Sequence, residues 1–420
     1  QGPVWYRKHF VVPAETKGQR VSIHFEAAMG KQILYLNGKR IQEHIGGYLP
    51  FTLDLTTYGV QAGDSCLLAV FADNSDDKSY PPGKRQYTLD FTYHGGIYRD
   101  VWMIAKSPIS ITDAIESQTV AGGGVFVHFD QISEKSAQVC VNTEVQNENT
   151  RSESVIVETT LTDADGKIIR RISGKLSLQS GEKKIIRQQM EVKNPKLWSP
   201  DTPYLYRVQS RLKKGNQSID GGITRVGIRL AEFRGKDGFW LNGKPFGQLV
   251  GANRHQDFAY VGNALPNSQQ WRDAKRLRDA GCTIIRTAHY PQDPSFMDAC
   301  DELGLFVIVA TPGWQYWNKD LQFGELVHRN TREMIRRDRN HPSIFMWSIG
   351  NEVLEQWTDA KADTLSLEEA NLILNFGHSS EMLAKEGEES VNSLLTKKLV
   401  SFVKAVSYTH LRAHETSLHL

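Results

Sequence analysis

The feature that most restricts what this chain can fold into is the run Phe345-Met346-Trp347-Ser348-Ile349-Gly350-Asn351-Glu352. It begins apolar at nearly every position, as a buried strand does, and ends in an amide and an acid. In a parallel barrel such a strand delivers its last residues to the open end where loops converge, the usual seat of chemistry. There Glu352 can handle a proton while Asn351 holds a substrate hydroxyl.

The surrounding pattern supports a barrel. From about residue 226 strands and helices alternate, which means a parallel sheet. The first strand is read from Phe246 to Ala252, ending in Asn253-Arg254-His255. Asn267 or Ser268 can cap a helix carrying Trp271, Ala274, Leu277 and Ala280 at helical spacing, with Gly281 at its end. Thr283 to Arg286 is the second strand, followed by a helix through Phe296 and Leu303. Leu305 to Ala310 is the third, and an Arg-rich helix ending near Asn340 leads into the fourth, Phe345 to Ile349. One more amphipathic helix follows, marked by Val391, Leu394, Leu399, Phe402 and Val406.

Upstream the period is two. Val21 to Phe25 and Ile33 to Leu36 are short alternating runs, separated by turn signals such as Asn37-Gly38 and Gly46-Gly47. Val139, Val141, Thr143 and Val145 alternate with polar residues, as do Val155, Val157, Thr159 and Leu161, and Asp165-Gly166 supplies a hairpin turn. These read as two β-sandwiches, residues 1–107 and 108–225, before a barrel region at 226–406.

Composition bounds the function. At 420 residues the chain holds about three domains. A net charge of +2 gives no case for nucleic acid or an anionic membrane as partner, and no apolar run approaches the roughly 18 residues of a membrane-spanning helix. Cys66, Cys140, Cys282 and Cys300 are scattered and read as small core residues, not as a disulfide framework or a metal set.

The string from His341-Pro342-Ser343 to Glu352 resembles the acid/base signature of glycoside hydrolase family 2, which includes β-galactosidases, β-glucuronidases and β-mannosidases. Trp5-Tyr6-Arg7-Lys8, Tyr35-Leu36-Asn37-Gly38 and Gly95-Gly96-Ile97-Tyr98-Arg99-Asp100-Val101-Trp102 are similar to landmarks of that family's jelly roll. The resemblance implies a jelly-roll sugar-binding domain, an immunoglobulin-like β-sandwich and the first half of a (β/α)8 TIM barrel. It implies a retaining exo-β-glycosidase, a β-galactosidase first, with β-glucuronidase or a non-catalytic carbohydrate-binding module as alternatives. Glu352 matches the general acid/base and Asn351 the residue that binds the sugar 2-hydroxyl. His255 and His289 match contacts to the sugar hydroxyls, and Arg286 the residue that orients the nucleophile. Asp90 matches an acid that the jelly roll inserts into the sugar site, with Phe91 and Tyr93 beside it suited to stacking on a sugar face.

Two departures from the family pattern follow. Trp314 and Tyr316 stand where some relatives place magnesium ligands, so no metal or cofactor is expected and Trp314 reads as part of a sugar-stacking wall. The family nucleophile is a Glu on the seventh barrel strand, and only four strand–helix units are read here. The N-terminus looks clipped, residues 407–420 read as a non-native tail, and the chain alone is expected to be inactive. The half-sheet face that includes Ile284, Val307 and Phe345 is expected to lack cover. Carbohydrate is the only partner expected; homo-oligomerisation of a longer parent and the cellular compartment stay open.

Overall fold

The computed structural model describes residues 2–83, 85–86, 89, 91–117, 119–120, 122–312, 320–351 and 391–406. The first period-two region forms two packed antiparallel sheets. One runs Pro3–Val11, Ser65–Asp73, Ala28–Leu36, Lys39–Gly46, and the other Phe51–Asp54, Arg20–Phe25, Val101–Lys106. Alternate residues Val21, Ile23, Phe25, Leu34, Leu53, Leu68 and Val70 meet between them. Asn37 and Gly38 take φ of 50° and 82°, the pair of left-handed positions that a tight hairpin needs, which a residue other than Asn or Gly adopts only with strain.

The second region is a sandwich too. Ile109–Ile111, Val125–Asp130, Ser136–Asn147 and Lys183–Lys193 face a sheet of Glu153–Thr162, Ile168–Leu178, Tyr206–Lys214 and Gln217–Val226. Val139, Val141, Val145, Val155, Val157 and Leu161 all point inward, as their alternation requires.

The third region carries four parallel strands in sequential order: Gly251–Arg254, Ile284–Thr287, Phe306–Ala310 and Ile344–Ser348. Helices Asn267–Asp279, Pro294–Leu303, Leu321–Asp338 and Val391–Val406 accompany them. On the helix side Ile285, Val307, Val309, Ile344 and Trp347 pack with Phe296, Met297, Met334 and Ile335. The opposite side is closed at the amino ends of the strands by an aromatic plug. The short antiparallel strands Ala231–Phe233, Phe239–Leu241 and Lys244–Pro245 bring Phe233, Phe239 and Phe246 onto Phe306 and Phe345. Phe239 lies 4.8 Å, centroid to centroid, from Phe345.

Four sequence expectations need correction. The first barrel strand starts at Gly251; Phe246 belongs to the plug, its N–H bonded to Phe239 O at 3.0 Å. Asn267 is the first helical residue, not the cap. Pro266 precedes it with no side-chain cap, and the Asn267 amide reaches Asp100 on the jelly roll at 3.4 Å. Val307 faces the helices and is fully buried, while Phe345 is covered by the plug. Exposure falls instead on the edge strand, Gly251 to Asn253, and on Met346, which is 41% exposed.

The Arg-rich third helix joins all three regions. Arg329 bonds Ile45 O on the jelly roll, and Arg336 and Arg339 bond carbonyls of Ser117, Thr119 and Gly123. Asn340 pairs with the backbone of Val125 and Val127 at 2.9 Å each. Trp198, fully buried, donates to Asp301 O at 2.9 Å and so fixes the immunoglobulin-like domain to the second helix. That helix ends at Gly304, whose φ of 72° lets the chain turn directly against the backbone of Pro200.

Candidate active site

The first barrel strand ends in a brace. Buried Arg254 donates to Asp273 at 2.5 Å and Gln270 at 2.8 Å on the first helix, and to Gln292 beyond the second strand. Its guanidinium also lies 4.0 Å from the Phe296 ring centroid. The next residue, His255, is thereby held at the open end. Its Nδ1 lies 3.4 Å from Tyr290 Oη, which also accepts the Gln256 N–H at 3.4 Å. Burial keeps the Tyr290 phenol protonated, pushing it well above its ordinary range. A protonated phenol can donate to Nδ1 of His255, and in that tautomer the ring carries its proton on Nε2.

The second strand contributes a fixed cation. Arg286 donates to Asn351 Oδ1 at 2.6 Å, to His289 Nδ1 at 3.1 Å and to Asn253 Oδ1 at 3.4 Å. A guanidinium can only donate, so Nδ1 of His289 accepts and its Nε2 carries the proton. The two imidazoles meet edge to face, 5.4 Å apart. Asn351, just past the fourth strand, is 6% exposed. With its Oδ1 committed to Arg286, its buried Nδ2 is aimed as a donor and meets no acceptor among the described residues. Ends of the first, second and fourth strands thus converge on one cluster of donors: His255, His289, Arg286 and Asn351.

The jelly roll completes that mouth. Phe91 stacks on His255 at 5.7 Å and meets His289 at 5.9 Å. Tyr48 stacks on Tyr290 at 4.2 Å. Tyr93 turns away into the core with Ala27, Met29, Tyr98 and Tyr290, so it is not a stacking surface. Arg99, buried, donates to Tyr48 O and Gln256 Oε1 at 2.9 Å each and to Pro291 O at 3.1 Å. It pairs with Asp293 at 3.5 Å, both side chains within 4% of full burial. Asp293 also caps the second helix, accepting from the Ser295 N–H at 2.8 Å. Sequence reasoning placed Arg99 in a jelly-roll landmark but missed its reach into the barrel; Tyr290 and Gln256 were missed altogether. No local sequence signal marked Arg99, because its nearest hydrogen-bond partner in the chain lies 51 residues away.

Glu352, Asp90, Trp314 and Tyr316 lie outside the described residues. The described set therefore comprises His255, Arg286, His289 and Asn351, the residues expected to bind and orient.

Fold and site define a barrel protein whose mouth is finished by a β-sandwich domain. The family model for the glycosyl hydrolases family 2 sugar binding domain matches residues 1–108, that for glycosyl hydrolases family 2 matches 123–229, and that for the family 2 TIM barrel domain matches 233–370. The chain belongs to glycoside hydrolase family 2. It is 41% identical over 415 residues to the β-galactosidase BoGH2A of Bacteroides ovatus, covering 97% of this chain and 46% of that protein. It is 31% identical to a β-glucuronidase of Formosa agariphila, covering 88% of this chain and 37% of that one. Among solved structures, Bacteroides uniformis β-glucuronidase 2, covalently bound to cyclophellitol-6-carboxylate aziridine, superposes with a TM-score of 0.81 at 30% identity, covering 98% of this chain and 46% of that chain. The chain thus spans about half the length of the relatives it matches, or less.

Proposed function

We propose that the chain belongs to a retaining exo-β-glycosidase, and that it supplies the sugar-recognition cluster and the general acid/base. Glycosidic cleavage with retention uses two carboxyls about 5–5.5 Å apart, one protonating the leaving oxygen and the other attacking the anomeric carbon. In this reading Glu352 is the acid and then the base for the incoming water. In this reading the nucleophile is the Glu that the family carries on its seventh strand, beyond the four parallel strands among the described residues, and the 420 residues alone are proposed not to turn over. The covalent complex formed by the B. uniformis relative supports a covalent step.

The observation that carries the reading is Asn351. Its carbonyl is locked by Arg286, and its amide N–H is a buried donor with no acceptor among the described residues. A donor in that state stabilises a ligand oxygen strongly, because without the ligand it is buried unpaired. We assign that oxygen to the sugar 2-hydroxyl, with the Nε2–H groups of His255 and His289 on neighbouring hydroxyls. Asp90 and Trp314 are assigned to the rim as hydroxyl acceptor and stacking face, and no magnesium is assigned, since Trp314 and Tyr316 offer no ligand to it.

Galactose is the favoured sugar, on the 41% identity to a β-galactosidase. Glucuronic acid is the second reading, favoured by the structural likeness to a β-glucuronidase. The test uses the native-length protein. Aryl β-galactoside and aryl β-glucuronide are compared, and the better substrate is repeated in its 2-deoxy form with wild type and Asn351→Ala. The reading expects Asn351→Ala and the 2-deoxy sugar to cost about the same, and the two together to cost little more than either. Losses that simply multiply would overturn the Asn351 assignment.

A further inference from the structure

A second constellation lies on the immunoglobulin-like domain. Val125–Asp130 and Ser136–Asn147 pair antiparallel with His128 directly opposite Cys140. Val127, Val139 and Val141 fill the core, so the period of two places His128, Asp130 and Cys140 together on the outer face. Asp130 Oδ2 lies 3.4 Å from Cys140 Sγ and 4.0 Å from His128 Nε2, and all three ligand atoms fall within 4.8 Å of one another. An imidazole, a carboxylate and a thiol aimed at one point form a mixed donor set that a thiophilic cation takes up.

We propose that His128, Asp130 and Cys140 bind a divalent cation of the zinc class, with water in the fourth position. Tetrahedral zinc, with bonds of 2.0–2.3 Å, holds sulfur and oxygen ligands about 3.5 Å apart and nitrogen and oxygen about 3.3 Å apart. The first spacing is met, and the second asks His128 to close by about 0.7 Å, a side-chain rotation. Thiolate and carboxylate together balance the ion's charge, and the thiol proton leaves to solvent. Gln189 Nε2 already donates to Cys140 Sγ at 3.3 Å, a contact a metal-bound thiolate would keep. Without an ion, burial and Asp130 hold the thiol protonated, so the cation must displace that proton. A second cluster, Asp298, Asp301 and His341, lacks this openness. Asp301 is bound to His341 at 2.6 Å and to the Ser343 N–H at 3.0 Å, and Arg225 sits on Asp298 at 2.6 Å. The proposed site borders the cleft lined by Arg229, Asn340 and His341 at the barrel's amino end. It therefore staples two strands beside the domain junction and takes no part at the mouth.

The test uses the untagged 420-residue chain and cobalt(II) as probe. Expected is one equivalent bound, with a thiolate-to-cobalt charge-transfer band and the visible bands of a tetrahedral ion. Cys140→Ser abolishes the charge-transfer band and Cys282→Ser keeps it. Asp130→Asn, a near-isosteric change at a partly exposed side chain, weakens zinc at least about tenfold in competition with a chromophoric chelator. Zinc raises the melting temperature of wild type and not of either site variant. No bound equivalent in wild type, or a band that survives Cys140→Ser, overturns the proposal.

Discussion

Arg99 should be the most expensive jelly-roll residue to lose, although it lies far along the chain from everything it holds. Its guanidinium serves three acceptors at 2.9–3.1 Å and faces the Asp293 carboxylate at 3.5 Å. At an effective dielectric of about 20 that separation corresponds to roughly 5 kcal/mol of gross attraction. Desolvation consumes part of it, and removing one partner of such a buried pair costs about 3–5 kcal/mol net. Arg99→Met keeps most of the apolar stem and isolates the charge. The uncompensated carboxylate should account for much of the loss. Asp293→Asn in the Arg99→Met background removes that charge while keeping a good helix cap, and should recover about 1.5–3 kcal/mol. For a domain of this size about 2–4 °C accompanies each kcal/mol, so the single variant should melt roughly 6–20 °C lower. A double-mutant cycle read by scanning calorimetry at one scan rate separates the terms. A cost below about 1 kcal/mol for Arg99→Met, or additive single variants, would refute the reasoning.

Three further outcomes are expected. In the native-length enzyme Glu352→Gln lowers kcat by about 10²–10⁴-fold on a disaccharide and far less on an aryl glycoside whose leaving group needs no proton; equal losses would remove Glu352 as the acid. Arg286→Lys keeps the charge but cannot span Asn351 and His289 together, so kcat/KM falls about 10²-fold, mainly through kcat; a change confined to KM would contradict a positioning role. Partial burial of His341 opposes its protonation, but the Asp301 charge and hydrogen bond, helped by Asp338 and Asp298, raise it from 6.5 to about 9. A raised value in the folded chain stabilises most below pH 6.5, and the contribution is lost as pH rises through about 9; it amounts to about 3 kcal/mol. Urea midpoints from pH 6 to 10 should converge between wild type and His341→Asn, and parallel curves would show that the pair is not linked to folding.

What was legible in the sequence was whatever a short period records. Val139 to Leu161 announced their faces, and the strands ending near Arg254, Arg286, Ala310 and Ser348 appeared within a few residues of where they lie. The candidate cluster was legible for the same reason, since strand ends in a parallel sheet must share one rim. Features set by distant packing were not. Phe246 continues an apolar run and so looked like strand, yet the other aromatics of the plug claim it. Val307 and Phe345 are both apolar, and only the register with the helices shows that they face opposite ways. Asn267 has the chemistry of a cap, but its amide is used on Asp100 instead. Arg99 has no local signature at all, because each of its partners is more than forty residues away or beyond the barrel's first strand.

The jelly roll's hold on the barrel bears on how such proteins can be recombined. Phe91 and Arg99 enter the rim from the first domain, while Gln256, Tyr290, Pro291 and Asp293 receive them from the third. A chimaera cut at the linker near residue 230 would separate these two sets, although no secondary-structure element is broken there. Grafts that exchange the first domain alone should assemble only when the recipient presents the same acceptors, and exchanged barrel loops should import a new sugar preference only when the donor's first domain travels with them.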